Sequence, residues 1–287
     1  MAGVKRLITA LALLAGPAMA GCGPAPDPCK IDSGTYHIAL PDGAPRGAIM
    51  FLHGWGSSGT GSIGNRRWVP QALAAGYAVL APDGTPREGR RGRSWSFHPD
   101  WPQARDEVAF LQAVRDDAAA RFGLDPARMA LGGFSIGGSM THYLACAAPD
   151  AFAAYIPVGG AFWRTHPEAC RGPVRLLHTH GWRDTTVPLE GRVVRGVDAN
   201  DPEALIQGDV FYAMQLWRAE NGCVQLRADR FETEGAFLRR AWDRCTPGTA
   251  LELALFDGGH TVPAEWIGMV LPWLGGLFFE EKASADP

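Results

Sequence analysis

The run Gly132-Gly133-Phe134-Ser135-Ile136-Gly137-Gly138 constrains this chain more than any other stretch, because it sets a Gly-x-Ser-x-Gly pattern between two different kinds of segment. Met129-Ala130-Leu131 before it reads as the end of a buried strand, and Ser139-Met140-Thr141-His142-Tyr143-Leu144-Ala145 after it reads as a helix. A serine on so tight a strand-to-helix turn leaves no room for side chains two positions to either side, so glycine is required there. Ser135 would then project from a sheet, with the Ile136 N–H and the positive end of a helix facing the same reacting atom. The chain holds 36 glycines, so a glycine-rich turn with an incidental serine is the plainer alternative, and other segments must decide.

Two later segments supply partners for the serine. Val174-Arg175-Leu176-Leu177-His178-Thr179-His180 reads as a strand running into Gly181-Trp182-Arg183-Asp184, which puts Asp184 on a strand-end loop. Leu251-Glu252-Leu253-Ala254-Leu255-Phe256 reads as another strand, followed by Asp257-Gly258-Gly259-His260. The chain order nucleophile, acid, histidine is the one used when these groups sit on successive strand ends of a parallel sheet. Ser135, Asp184 and His260 are therefore the candidate catalytic residues. Asp257 is the rival acid, set aside because the order places the acid on its own strand-end loop ahead of the base.

The first half adds an oxyanion loop. Gly47-Ala48-Ile49-Met50-Phe51-Leu52 reads as a central strand ending in His53-Gly54-Trp55-Gly56-Ser57-Ser58-Gly59. The backbone N–H of Trp55 can complete a two-donor oxyanion hole with that of Ile136. His53 precedes the nucleophile in sequence, which favours a structural role in hydrogen-bonding the loop.

Taken together, His53-Gly54-Trp55-Gly56-Ser57-Ser58, Ala81-Pro82-Asp83-Gly84, Gly133-Phe134-Ser135-Ile136-Gly137-Gly138, His180-Gly181-Trp182-Arg183-Asp184-Thr185-Thr186-Val187-Pro188 and Gly258-Gly259-His260-Thr261-Val262-Pro263 resemble the secreted polyhydroxybutyrate depolymerase-like and feruloyl-esterase-like α/β-hydrolases. The resemblance runs in order from about Tyr36 to Leu277. It implies ester hydrolysis by Ser135, Asp184 and His260. Polymer depolymerases of this kind often carry a linker and a separate binding domain, and neither is read along these residues.

Length and patterning fit one α/β domain, with a mostly parallel sheet covered by helices on both faces. Strands are expected at 36–40, 47–52, 77–81, 128–131, 155–158, 174–180 and 251–256. A helix carries the periodic face Val108, Leu111, Arg115, Ala118 and Phe122, closed by Gly123, and Asp125-Pro126 opens the next turn. Two irregular stretches, Arg87 to Pro102 and Arg192 to Gln207, are candidate substrate walls. The expected divisions are a signal peptide over 1–20, an extension over 21–35, a catalytic domain over 36–279 and a flexible tail over 280–287.

Lys5 and Arg6, the apolar run from Leu7 to Ala15 and the small residues Ala18 and Ala20 form a secretory signal with cleavage expected after Ala20. The run is too short to span a bilayer. Secreted or periplasmic location follows, and six cysteines, an even count, suit an oxidising compartment. Sequence permits about 15 connectivities for six cysteines. Sequential pairing, Cys22 with Cys29, Cys146 with Cys170 and Cys223 with Cys245, closes local loops and is the favoured set. A lipid anchor on Cys22 is the rival; it would leave five thiols.

Trp55 and Trp182, flanking the oxyanion and acid loops, are expected to line the substrate pocket, with Trp95 and Phe97 as further candidates. Most of the ten tryptophans must simply pack. The arginines at 87, 90, 91 and 93 could hold a carboxylate or phosphate, the plainer reading being a solvated loop. A net charge of −3 leaves no electrostatic footprint for nucleic acid. His178 and His180 lack an acidic cluster at ligand spacing, and Gly54, Gly56 and Gly59 lack a following Lys-Ser/Thr, so no metal, phosphate loop or cofactor is expected.

The partner is accordingly a small-molecule or oligomeric ester, with the oligomeric state open. Two other classes compete. A serine peptidase of the prolyl-oligopeptidase type shares the elbow and triad order, but the length leaves no room for its usual gating domain. A non-catalytic hydrolase-fold binding protein would be expected to have lost Ser135, Asp184 or His260, and none is lost.

Overall fold

A computed structural model describes residues 21–194, 198–201 and 204–279. Ten strands form one sheet: β1 (Cys29–Ile31), β2 (Gly34–Ala39), β3 (Gly47–Leu52), β4 (Tyr77–Pro82), β5 (Met129–Phe134), β6 (Ala154–Val158), β7 (Arg175–Gly181), β8 (Arg230–Glu234), β9 (Phe237–Trp242) and β10 (Ala250–Phe256). Their spatial order is β1-β2-β4-β3-β5-β6-β7-β10-β9-β8. The run from β4 to β10 is parallel throughout, and antiparallel pairs extend it at both ends.

Among the described residues six α-helices, α1 (Gly59–Ile63), α2 (Val69–Ala74), α3 (Glu107–Phe122), α4 (Ile136–Ala147), α5 (Val210–Glu220) and α6 (Trp266–Phe279), accompany the sheet. The two-residue side-chain period of β3 divides its residues between two cores. Ala48, Met50 and Leu52 pack with residues of α3, α4 and α5, whereas Ile49 and Phe51 pack with residues of α2 and α6. Strands buried on both faces explain why the central segments read as continuous apolar runs.

On the second face the rings of Phe51, Trp68 and Trp266 meet in pairs, 4.9 to 5.5 Å between centroids. Truncating such a buried aromatic to alanine costs about 3–5 kcal/mol. Phe51 and Trp68 also form a wall of the cavity in front of Ser135, so this core shapes the site.

Four differences from the sequence reading have physical causes. The hairpin of β8 and β9 was not anticipated, because Arg230-Phe231-Glu232-Thr233-Glu234 is exposed at every position and carries no buried apolar pattern. The segment ahead of Tyr36 contributes the edge strand β1. In α3 the buried stripe is Phe110, Leu111, Val114 and Ala118, and Arg115 reaches from its margin to the Ala151 carbonyl. The first irregular stretch pairs Arg93–Ser94 with Thr85–Pro86 just ahead of it, and the second holds a small ladder of Arg192–Val193 with Ile206–Gln207.

The disulfides are Cys22–Cys29, Cys146–Cys170 and Cys223–Cys245, the sequential set. The signal-peptide segment 1–20 and the tail 280–287 lie outside the described residues. Among those described, no helix is long and apolar enough to cross a membrane.

Candidate active site

Ser135 stands where β5 turns directly into α4, with φ of 59°, the single non-glycine positive φ among the described residues. Such a conformation costs of order 1–3 kcal/mol and persists only where the surroundings enforce it. Here they do. The Ser135 N–H donates to the Val158 carbonyl at 2.9 Å, and its own carbonyl accepts from Ser139 at 2.9 Å in the first turn of α4. A Cβ on Gly133 would lie 2.3 Å from the Gly137 carbonyl oxygen, and one on Gly137 would lie 2.4 Å from that of Leu52. Glycine at both positions is therefore a packing requirement.

His260 is brought to the elbow by the loop that follows β10. Its Nε2 lies 2.9 Å from Ser135 Oγ, and its Nδ1 lies 2.6 Å from Asp184 Oδ2. Phe134 packs against the imidazole with centroids 4.6 Å apart. The acid loop and the histidine loop are tied by backbone bonds, Trp182 N–H to the Phe256 carbonyl and Arg183 N–H to that of Gly258, both 2.8 Å. A Cβ on Gly181 would lie 2.3 Å from the Gly259 oxygen, so the two loops pass as closely as backbone allows.

Asp184 is 5% exposed. Its Oδ1 accepts from the Thr186 and Val187 N–H groups, each at 2.8 Å, leaving Oδ2 for the histidine. Burial pushes its carboxyl up, but the His260 hydrogen bond and the two backbone donors outweigh burial and hold it below the usual aspartate value. Asp257, the rival, has a side chain 80% exposed and pairs with Arg183 at 2.9 Å. The structure does not bring it to the histidine's partner position.

The loop after β3 is braced from below. His53 is buried; its Nε2 accepts from Gly84 N–H at 3.0 Å, so its Nδ1 carries the proton donated to the Gly54 carbonyl at 2.8 Å. Asp83 accepts from Gly59 N–H and Thr35 Oγ1, both 2.9 Å, with Arg93 Nε at 3.3 Å. Burial alone would raise its carboxyl; hydrogen bonds from His37, Gly59 and Thr35 and the charge of Arg93 carry it down to about 2. The sequence reading expected the His53 part of this brace but missed Asp83, although Pro82-Asp83-Gly84 directly after a strand carried it. Around Trp55, Gly56 N–H bonds the Arg93 carbonyl and Ser57 N–H that of Gly54. Ile136 is the first residue of α4, where N–H groups precede the helical ladder and have no intrahelical acceptor.

The aromatic expectations divide. Trp55 borders the Ser135 cavity, half-exposed beneath the Arg87 guanidinium at 4.1 Å from its ring centroid. Trp95 does not line the cavity. It is buried, donates from Nε1 to the His53 carbonyl at 2.9 Å and packs on the His53 ring, because a strand-end loop with free carbonyls needs a donor beneath it. Phe97 packs with Tyr143 and Trp163. Trp182 is also absent from the Ser135 cavity. It is 63% exposed and lines a separate groove with Phe231 and Leu238, since the bond from its N–H to Phe256 seats it beside the unforeseen hairpin.

The cavity at Ser135 and His260 measures about 410 Å³, walled by Phe51, Trp55, Trp68 and Phe134, with Ser57 and Asn65 as polar members. A larger cavity of about 810 Å³ between the start of α3 and α4 contains none of these residues. Chemistry therefore points to the smaller one: a serine hydroxyl, an imidazole, an oriented carboxylate and a helix N-terminus converge on a mostly apolar cleft of ligand size.

A family model described as phospholipase/carboxylesterase matches residues 34–194. The chain is similar to feruloyl esterase C of Emericella nidulans, 28% identical over 190 residues covering 60% of this chain and 64% of that protein. It is likewise similar to feruloyl esterase B of Piromyces equi, 26% identical over 192 residues, or 66% of this chain and 34% of the relative. The match thus spans between a third and two thirds of these relatives' length. The fold is shared with the acetyl xylan esterase from Aspergillus awamori, at a TM-score of 0.58 and 17% identity over 82% of this chain and 93% of that one. A carboxylesterase from Mesorhizobium loti matches at a TM-score of 0.56 and 18% identity, over 85% and 95% of the two chains.

Proposed function

The chain belongs to the phospholipase/carboxylesterase family of α/β-hydrolases, and from that premise we propose that it is a serine esterase that cleaves carboxylic esters through an acyl-enzyme on Ser135. One observation carries the reading: the continuous path from Asp184 Oδ2 through both His260 nitrogens to Ser135 Oγ, with separations of 2.6 and 2.9 Å.

As His260 Nε2 takes the serine proton, Ser135 Oγ bonds the ester carbonyl carbon and the carbonyl oxygen becomes an oxyanion. Asp184 holds the imidazole with Nδ1–H toward it and stabilises the imidazolium. The N–H groups of Trp55 and Ile136 receive the oxyanion, a donation worth about 10²–10³ in kcat per donor in comparable sites. The tetrahedral species collapses, the C–O bond to the alcohol breaks, and His260 returns its proton to that alcohol. Water then attacks the acyl-enzyme by the same steps, releasing the acid and restoring Ser135. Ser135, His260 and Asp184 already stand at hydrogen-bond distance for this sequence of steps.

Aromatic walls at Phe51, Trp55, Trp68 and Phe134 suit a flat or short acyl group, and the feruloyl esterase and acetyl xylan esterase likenesses point the same way. We therefore place substrates in the feruloyl or acetyl ester class of polysaccharide-derived esters, with hydroxyalkanoate oligomers as the alternative polymer class. A panel of methyl ferulate, p-nitrophenyl acetate, 3-hydroxybutyrate oligomers and an aminoacyl anilide tests this. Hydrolysis of the first two is expected. Cleavage of the anilide without ester turnover would contradict the reading and favour a peptidase.

Export fits the same picture, because three disulfides persist where thiols are not kept reduced. The sulfur of Cys22 is committed to Cys29, which argues against its carrying a lipid thioether.

A further inference from the structure

Four buried ring systems outside the site form one unbroken hydrogen-bonded chain. Trp217 Nε1 on α5 donates to His142 Nδ1 on α4 at 2.9 Å. His142 Nε2 lies 2.9 Å from His178 Nδ1, and His178 Nε2 lies 2.9 Å from His180 Nδ1, both histidines on β7. His180 Nε2 ends the chain on the Val187 carbonyl at 2.7 Å. All four side chains are fully buried.

The direction of this chain is dictated at both ends. An indole nitrogen can only donate and a carbonyl can only accept. Each neutral imidazole must then accept at Nδ1 and donate from Nε2, and the two ends independently demand the same arrangement. A second proton on any ring would set two N–H groups against each other. The rings are also spent as ligands, since both nitrogens of each are engaged by neighbours.

Burial holds the three imidazoles neutral: His142 falls to about 3, His178 lies well below the ordinary histidine value and His180 is lowered too. For His180 the Val187 hydrogen bond and the Asp184 charge act against burial, and His260 acts with it.

The tail of the chain is the acid loop. Val187 presents its carbonyl to His180 and its N–H to Asp184 Oδ1 at 2.8 Å, and His180 Nε2 stands 3.6 Å from Asp184 Oδ2. We propose that His180, with its proton kept on Nε2 by the Trp217–His142–His178 chain, is a positioning residue for Asp184. It pins the Val187 peptide, and through it the turn whose N–H groups aim the carboxylate at His260. The inference rests on the reading of Asp184 as the acid. It makes α4 and α5 part of the support of a loop that neither helix carries.

Imidazole-labelled full-length protein reads the tautomers directly by nitrogen NMR, without turnover. His142, His178 and His180 are expected to show a protonated Nε2 and a bare Nδ1, unchanged from about pH 5 to about pH 8, the window in which free histidines titrate. An Nδ1–H form, or titration of any of the three in that window, overturns the proposal.

Turnover supplies the second arm. His180→Leu is expected to lower kcat by about 10- to 100-fold, the scale of a misplaced catalytic group, with KM little changed. His180→Gln, whose amide can still donate to Val187, should recover most of the loss. A folded His180→Leu enzyme with wild-type kcat, or a Gln variant no better than Leu, overturns it. If Asp184→Asn keeps full turnover, the acid assignment fails while the tautomers stand; if Asp184→Asn is dead beside an unimpaired His180→Leu, only the positioning role fails.

Discussion

Asp184 and His260, 76 residues apart in the chain, meet with Oδ2 2.6 Å from Nδ1, whereas Asp257, three residues before His260, faces solvent against Arg183. Asp184→Asn should therefore lower kcat by about 10³–10⁴, the scale seen where a triad carboxylate is neutralised. Asp257→Asn should leave kcat within about 2-fold, as for surface changes that touch nothing in the site. Steady-state kinetics on the two variants decides between them, and the reverse ranking would move the acid.

The elbow could be read in sequence because its geometry excludes side chains at fixed offsets, and glycines at 133 and 137 record that exclusion. The parallel strands were legible for a related reason, since burial on both faces writes a continuous apolar run. Trp95 and Trp182 were misread because neighbourhood in sequence does not set direction: one side chain turns down to the His53 carbonyl and the other out to the hairpin. Of that hairpin only β9 buries apolar side chains, Phe237 and Ala241, while β8, at the sheet edge, is exposed throughout and left no pattern to read. The histidine chain was invisible, because His142 and Trp217 come from helices whose packing against β7 is a tertiary fact.

Gly137→Ala offers a test of the elbow that runs against helix propensity. In an ordinary helix interior the change gains about 0.5–1 kcal/mol. Here the new Cβ would press on the Leu52 and His53 carbonyls at 2.4 and 2.7 Å. A loss of about 1–3 kcal/mol, the usual cost of overpacking, is expected in thermal unfolding, together with lower kcat as the oxyanion loop shifts. A stabilised variant with wild-type kcat would refute this account of the glycine.

The Cys223–Cys245 bridge closes a sequence separation of 22 residues between α5 and the start of β10. Loop-closure entropy assigns it about 3 kcal/mol, a model-dependent figure. The double alanine variant should unfold at correspondingly lower urea, and peptide mapping without reduction should recover the two cysteines linked. A free thiol at either position contradicts the pairing.

Stability should fall on acidification well before the carboxylates titrate. With the three buried imidazoles held below the ordinary histidine value, the unfolded chain binds protons that the native chain refuses, so unfolding becomes easier as pH drops. Asp83 and Asp184 add a further loss at lower pH: both are depressed in the fold, so their contribution is present above the ordinary aspartate value and disappears as pH falls through the folded one. Urea midpoints at about pH 7, 5.5 and 4 should decline in that order, following the sign of the linkage. A midpoint that is flat or rises toward acid would contradict it.

In the proposed reaction Ser135 carries the acyl group. Protein mixed with p-nitrophenyl acetate, quenched in acid and mapped by mass spectrometry should show one acetyl group, on the peptide containing Ser135. Purified Ser135→Ala should show none and lose about 10⁶ in kcat, as loss of a triad nucleophile does. Acetylation at another residue, or substantial ester hydrolysis by Ser135→Ala, would contradict the account.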